Sequence, residues 1–485
     1  MQFIGASSIF KNKIGPYLLV ISTGLAIGFI ILFFFSILGL TLAAFCSMGI
    51  LFPFLVIIVG DSKRLLWAIL VVCLPVSVDF TIGHTGHLGG AAGYIISLHD
   101  IVLAFLYLLW FAESFYNKNI KLELYPAVTF PAVLLIGFAF LSIIPAKHPN
   151  YSLYEIIEII KMYLTFFYLA NNIKTKKDFR FIIILFVACL FFEGLLGWAQ
   201  HRYDKPFFPT ALGGPGWIDS RVKGTWVSYN DFAWYLTFFI PLCISMFFSK
   251  IKTIYKMICV LIASVACGTL MWTNSRSGWT SLAIAILFVG LLIVSKIRKK
   301  KSFINIFLSV VLILILIFPL YPRLYNKIYG RFAGHDGGSA QSRLPQFEIA
   351  YNIIKNNPIL GIGINNYSEV MWEYDVTERG LRELSVYPVH NIYLHLVAEI
   401  GIFGFAMFML ILAVIFYTGL NYVILNSGFE AYVIIGLLAG ILAFLIHGLF
   451  DVASIGSKMF MFVWFFAGIL FGVNEIEQEG QHVIA

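Results

Sequence analysis

The residues able to do chemistry gather late in the chain. Arg276 stands in TNSRSGW, Arg343 opens RLPQFEIAYNIIKNNP, and His390 lies in YPVHN, with Asn391 beside it and His395 and Glu399 further on. Upstream, SRVKGTW adds Arg221 and Lys223. A guanidinium presents a planar fork of N–H groups that matches a phosphate with paired, charge-assisted hydrogen bonds. A neutral histidine takes up a proton near pH 7. These types point to binding of a phosphate-like anion and removal of a proton from an attacking group. Each residue also has a plainer reading. Arg276 fits a snorkelling arginine at a membrane edge, and His390 a hydrogen-bonding histidine at that edge. The other cations fit lipid headgroups or pairing with Asp336, Asp375, Glu378 and Glu383.

Local sequence says how these side chains are held. Asn274, Ser275 and Gly278 around Arg276 predict a tight turn that opens a helix. A helix N-terminus offers unpaired N–H groups to an anion. After Arg343, Leu344, Phe347, Ala350, Tyr351 and Ile354 recur at helical spacing. That predicts an amphipathic helix lying on the membrane surface and stopped by Pro358, with Arg343 and Gln346 near its start. His390 follows Pro388 and opens an apolar run. A helix N-terminus and nearby arginines both disfavour a positive imidazole. Asn391 is placed to cap that helix, and Glu399, inside it, needs a partner such as His395 or an arginine.

Other motifs carry less. The glycines of GIGINNY follow no strand pattern, so they do not read as a nucleotide loop. His84 and His87 are spaced H-x-x-H, with His99–Asp100 nearby, but they sit in a Gly-rich loop and make a weak metal site. No metal and no cofactor are expected. The six cysteines, Cys46, Cys73, Cys189, Cys243, Cys259 and Cys267, all fall in apolar runs without C-x-x-C spacing and read as small buried hydrophobes. There is no Gly-x-Ser-x-Gly elbow of a serine hydrolase.

The elements that must position these residues are membrane helices. Of the 485 residues 60% are hydrophobic and only 12% charged, about half the charged share of a soluble domain. Apolar runs fall at about 17–37, 40–59, 65–80, 98–115, 126–144, 155–172, 180–199, 232–249, 257–273, 278–295, 303–320, 392–418, 431–449 and 459–474. Each is near the length that crosses a hydrocarbon core. The chain is therefore expected to be an all-α polytopic membrane protein with about 14 spans. The first run, lacking a small-residue cleavage site, is expected to remain as a spanning helix.

The net charge of +8 does not imply nucleic acid. About half the cations sit in short clusters, at Lys63–Arg64, Lys118 and Lys121, Lys174–Lys177, Lys250 and Lys252, and KIRKKK at 296–301. With the N-terminus inside, all these clusters fall on one side, the cytoplasmic one by the positive-inside rule, and so does the C-terminus. The other loops are then external: 81–97, 200–230, the turn at 274–278, 321–389 and a turn near Asp451. The chain divides into N-terminal helices over 1–231, central helices over 232–320, a long loop over 321–389 that folds as short helices, and C-terminal helices over 390–485. Arg202, Lys205, Arg221, Lys223, Arg276, Arg323, Lys327, Arg331, Arg343, Lys355, Arg379 and Arg382 oppose the charge rule by lying outside. An anionic partner at the outer headgroup level accounts for them. Trp217, Trp226, Trp372 and Tyr374 are candidates to stack on sugar rings or to form an interfacial aromatic belt.

The order SR in a turn, R-x-x-x-F-x-x-A with NNPILGIGINNY, then HN-x-Y-L with E-x-G-x-x-G, over about Asn274–Gly404, resembles the O-antigen ligase and polymerase superfamily of bacterial envelopes. The resemblance implies a GT-C-like, metal-independent glycosyltransferase of the inner membrane, working at the periplasmic face. Its donor would be an undecaprenyl-diphosphate-linked glycan and its acceptor another glycan or lipid A-core. By that resemblance Arg276 and Arg343 are the key arginines, His390 the key histidine and Arg221 a further arginine. The mechanism expected from these residues has the arginines, aided by Arg221 or Lys223, hold the diphosphate and His390 act as base, with Asn391 and Glu399 supporting. The chain has about two more spans than a typical ligase, which leaves ligase and polymerase both open. A flippase for lipid-linked sugars and a protein O-oligosaccharyltransferase are the alternatives. A transporter should show broken helices or cations at mid-membrane.

Overall fold

The computed structural model describes residues 61–76, 79–116, 122–205, 221–296, 343–376 and 388–484. The expected spans 17–37, 40–59 and 303–320, and Trp217, Arg323, Lys327, Arg331, Arg379 and Arg382, lie outside these residues.

In chain order the elements are α1 (Ser62–Val72), β1 (Asp79–Ile82), β2 (Tyr94–Ser97), α2 (Leu98–Tyr116), α3 (Pro126–Leu141), α4 (Pro149–Asn172) and α5 (Lys176–Tyr203). There follow α6 (Tyr229–Phe247), α7 (Thr253–Thr273), α8 (Arg276–Lys296), α9 (Arg343–Asn356) and α10 (Tyr367–Val370), which runs into a 3-10 turn (Met371–Tyr374). The chain closes with α11 (Ile392–Leu425), α12 (Phe429–His447) and α13 (Lys458–Ile484). Among the described residues eight helices are long and apolar enough to cross a membrane: α2, α5, α6, α7, α8, α11, α12 and α13. Many of the large apolar side chains on them, such as Phe111, Leu291, Tyr417 and Ile424, face outward. In water that would be costly; against lipid it is the expected surface.

The fold is mostly helical, as expected, with one small ribbon: β1 and β2 pair antiparallel, Asp79 opposite Ser97 and Ile82 opposite Tyr94. One expectation changes. The run 65–80 is not a span, because α1 has only 11 residues, about 16 Å of helix. It stops three residues before Pro75, and Asp79–Phe80 already belong to the ribbon. Three of the about 14 expected spans lie outside the described residues. Among the remaining expected spans, α3 has 16 residues, and α4 carries Glu155, Glu158 and Lys161.

α6, α12 and α13 are the most enclosed spans. α12 approaches α6 closely along Gly436 and Gly440, where a Cβ on Gly440 would overlap the Phe238 carbonyl oxygen. Small residues one turn apart let two backbones meet, and dispersion then replaces lipid contact. Phe186, Phe238, Phe239, Phe462 and Phe466 fill the space beside this pair with ring-edge contacts.

The two ends of the bundle are chemically distinct. One end gathers the clusters expected to be cytoplasmic: Arg64 lies 3.6 Å from Asp178, Arg180 binds Glu430 at 2.7 Å, and Lys176 pairs with Glu477. The opposite end gathers the loops expected to be external. There Lys458 binds Asp79 at 2.6 Å, Lys147 binds Glu373 at 2.6 Å, and the Asn391 side chain donates to the Leu449 carbonyl at 3.1 Å.

Candidate functional site

α7 ends at Asn274, which takes a left-handed conformation (φ 56°) and donates its N–H to the Met271 carbonyl. The Ser275 hydroxyl then accepts from the Gly278 N–H at 3.3 Å and starts α8. Arg276 is thus the first residue of a membrane helix, as the turn chemistry predicts. Gly278 brings this turn against Ala233 of α6.

Arg343 is likewise the first residue of α9, and the helix ends at Asn356, two residues before Pro358. Its lipid-side residues are open and a second face is buried in the protein. Leu344 and Tyr351 are 68% and 61% exposed, whereas Gln346, Ile349, Ala350 and Ile353 are buried. These last three join Ile362, Tyr367, Val370, Met371, Val389 and Ala398 in a small core of their own. The described part of the long loop, 343–376, thus forms short helices packed on α11.

The buried Gln346 belongs to that second face. Its Oε1 accepts the His390 backbone N–H at 3.3 Å and lies 3.0 Å from His390 Nδ1. A backbone N–H can only donate, so the amide oxygen must be the atom facing it. The same oxygen then requires Nδ1 to carry the imidazole proton. That leaves Nε2 with its lone pair, the form a base needs. Gln346 was not singled out as a site residue from sequence, although its spacing three residues after Arg343 puts both on one side of α9's first turn.

Asn391 is the N-cap of α11, accepting from the Tyr393 and Leu394 N–H groups at 3.0 and 2.9 Å. Ile392 N–H donates to the Gly448 carbonyl at 2.8 Å. These bonds fix His390 between α9 and the 448–451 turn. Burial is the largest influence on its pKa and pushes it below the ordinary histidine value. Arg343 pushes the same way, and Asp451 opposes. Desolvation thus favours the neutral imidazole, and Arg343 adds to it less than Asp451 takes away.

Arg221 and Lys223 sit on a loop pinned from α5. Gln200 Oε1 accepts the Lys223 and Gly224 N–H groups at 3.1 and 2.9 Å, and Gln200 Nε2 donates to the Gly224 carbonyl at 2.7 Å. The buried Glu193 accepts the Thr225 N–H at 3.1 Å. Arg221 stacks over the Tyr229 ring at 4.0 Å and is not part of the Arg343–Gln346–His390 unit. Burial pushes the Lys223 amine below its ordinary value. Val222 N–H reaches the Trp272 carbonyl at 3.5 Å, so this loop lies beside the Arg276 turn.

Among the described residues Glu399 is answered by His395. Its Oε1 lies 3.4 Å from His395 Nε2 and accepts the Tyr367 N–H at 3.2 Å. Beside it α11 is broken at Gly401 (φ 70°). Ile362 and Gly363 donate their N–H groups to the Ala398 and Glu399 carbonyls at 2.9 and 3.1 Å, and Ile402 N–H donates to the Pro358 carbonyl at 2.9 Å. The glycines of GIGINNY therefore let one backbone lie against another. A Cβ on Gly401 would overlap the Ile359 carbonyl, and one on Gly361 the Glu399 carbonyl.

His87 and Trp226 have roles inside the protein. His87 is engaged by Asn365 at 2.8 Å and Glu369 at 3.1 Å and stacks near Tyr151, which makes it a tether for its loop. Trp226 is buried against Tyr235 and Phe462, in the bundle and away from any open sugar surface. Trp372 and Tyr374 remain partly exposed at the edge of the small core.

Residues 258–409 match a family model described as O-antigen ligase. The chain carries an O-antigen ligase domain. The match spans α7 to the first half of α11 and so contains Arg276, Arg343, Gln346, His390, Asn391, Glu399 and the Gly401 break. Over this third of the chain the match supports the O-antigen ligase/polymerase superfamily. Arg221, Lys223 and the loop that holds them precede the O-antigen ligase domain. No curated protein matches the chain.

Proposed function

We propose that this protein is a GT-C-like glycosyltransferase that moves a glycan from undecaprenyl diphosphate to an acceptor sugar hydroxyl at the periplasmic face of the inner membrane. The observation that carries the reading is the Arg343–Gln346–His390 unit at the entrance of α11, inside the O-antigen ligase domain. The acceptor oxygen attacks the anomeric carbon, with inversion. The bond from that carbon to the phosphate oxygen breaks, and the diphosphate leaves on its lipid. His390 Nε2 takes the hydroxyl proton. Arg343 and Arg276, helped by Arg221 or Lys223, balance the charge growing on the diphosphate. Full positive charges at that position supply what a metal ion supplies in other transferases.

The break in α11 at Gly401 is the one feature that favours a transporter, since broken helices often line transport sites. Here the freed backbone groups are taken up by residues 358–363, and Glu399 is taken up by His395 and Tyr367. The break thus serves to dock the loop that carries the transferase unit.

The test uses purified protein and a lipid-linked oligosaccharide in chelator, with and without lipid A-core. A ladder of lengthening glycan without core identifies a polymerase, and transfer to core alone a ligase. Translocation of the lipid-linked sugar in vesicles without any transfer overturns the reading.

A further inference from the structure

Away from the His390 unit and outside the O-antigen ligase domain, a cavity of about 200 Å³ opens between the β1–β2 ribbon, α4 and the start of α13. Glu155 shapes it: this buried carboxylate accepts the Ala91 N–H at 3.0 Å and the Gly456 N–H at 2.6 Å, tying the ribbon's loop to the turn before α13. Lys161 is fully committed in the wall, to Asp100 at 2.9 Å, Glu158 at 2.6 Å and the Ile95 carbonyl at 3.0 Å.

What singles the cavity out is unmet hydrogen bonding. Asp79 Oδ1, His99 Nε2 and the Ser457 hydroxyl are buried without a hydrogen-bond partner, and all three residues line it. His99 is only 4% exposed, and its Nδ1 reaches no closer than 3.5 Å to Asp100. Buried polar atoms are nearly always satisfied, so three such residues on one cavity call for an occupant. That occupant must both donate and accept, since a carboxylate oxygen only accepts while imidazole and hydroxyl do either. A sugar hydroxyl does both. The charges of the wall are already paired, Asp79 with Lys458 and both Asp100 and Glu158 with Lys161, so an uncharged group suits it.

We propose that this cavity is a subsite for one uncharged pyranose ring of the glycan, its hydroxyls bonded to Asp79, His99 and Ser457. The proposal rests on the glycan-transfer reading for the identity of the occupant. The rival occupant is ordered water, for which the volume is also ample.

The probes are neutral methyl hexopyranosides, with methyl glucuronide as the acidic control, read by saturation-transfer NMR on the full chain in detergent. Ser457→Ala removes a hydroxyl that makes no bond, so its melting temperature should match wild type. Saturable binding of a neutral hexoside is expected, weakened about two- to tenfold in Ser457→Ala and lost in Ser457→Leu, which fills the space. His390→Ala should bind the hexoside as wild type does. In the transfer assay Ser457→Leu should raise the KM of the substrate whose sugar sits here, which tells lipid-linked donor from acceptor. Absence of hexoside binding, equal binding in Ser457→Ala, or equal binding of the glucuronide overturns the proposal and leaves water as the occupant. Transfer without hexoside binding removes the subsite alone; hexoside binding without any transfer removes the transferase reading alone.

Discussion

A neutral imidazole beside a guanidinium makes two demands on experiment. His390 works as a base only when unprotonated, and burial and Arg343 both lower its pKa while Asp451 raises it. The kcat/KM of transfer should therefore rise with pH through an inflection below 6.5 and be level at neutral pH. Replacing Asp451 by Asn removes the raising influence and should move the inflection further acid. Replacing Arg343 by Gln should move it up. Inflections that shift the opposite way contradict the assignment. Arg343→Lys asks a different question. It keeps the charge and loses the planar fork, so transfer should fall at least tenfold if the diphosphate is gripped by paired hydrogen bonds; wild-type rates would mean that charge alone suffices. The places of Arg276 and His390 at helix entrances were legible in the sequence. Gln346 was not, because a polar residue reads as a solvent face until its partner, 44 residues away, is brought to it.

α9 and α11 show the same lesson at the next scale. Apolar spacing located α9 and its end, and Leu344 and Tyr351 point outward as a helix lying on lipid requires, but it did not show Gln346 pointing inward. Periodicity ranks side chains by hydrophobicity, while burial follows what covers them. Likewise the glycines of GIGINNY and EIG carried a signal that spacing rules did not decode: two backbones needing contact without a Cβ between them. Gly401→Ala puts a side chain at positive φ and against the Ile359 carbonyl. It should destabilise the protein by more than ~1–3 kcal/mol, the ordinary cost of such backbone strain. A lower melting temperature in detergent, with α9 cleaved more readily by protease, checks this; an unchanged melting temperature contradicts the docking role of the break.

For the whole molecule, length and apolarity marked most of the described helices, and basic clusters sorted the ends. The short α1 escaped because a run rich in Leu and Val reads alike as helix or strand until Pro75 interrupts it. The sidedness has its own prediction. A cysteine at Glu373 should react with an impermeant maleimide added to intact spheroplasts, whereas one at Lys177 should react only after lysis; the reverse pattern would turn the His390 end toward the cytoplasm. The most direct test of the account is single-turnover transfer by purified protein, wild type against His390→Ala, with donor binding measured separately. The account predicts donor binding within a few-fold of wild type and transfer slower by ~10²–10⁴-fold, the contribution of a positioned base. Transfer by His390→Ala at the wild-type rate would contradict it.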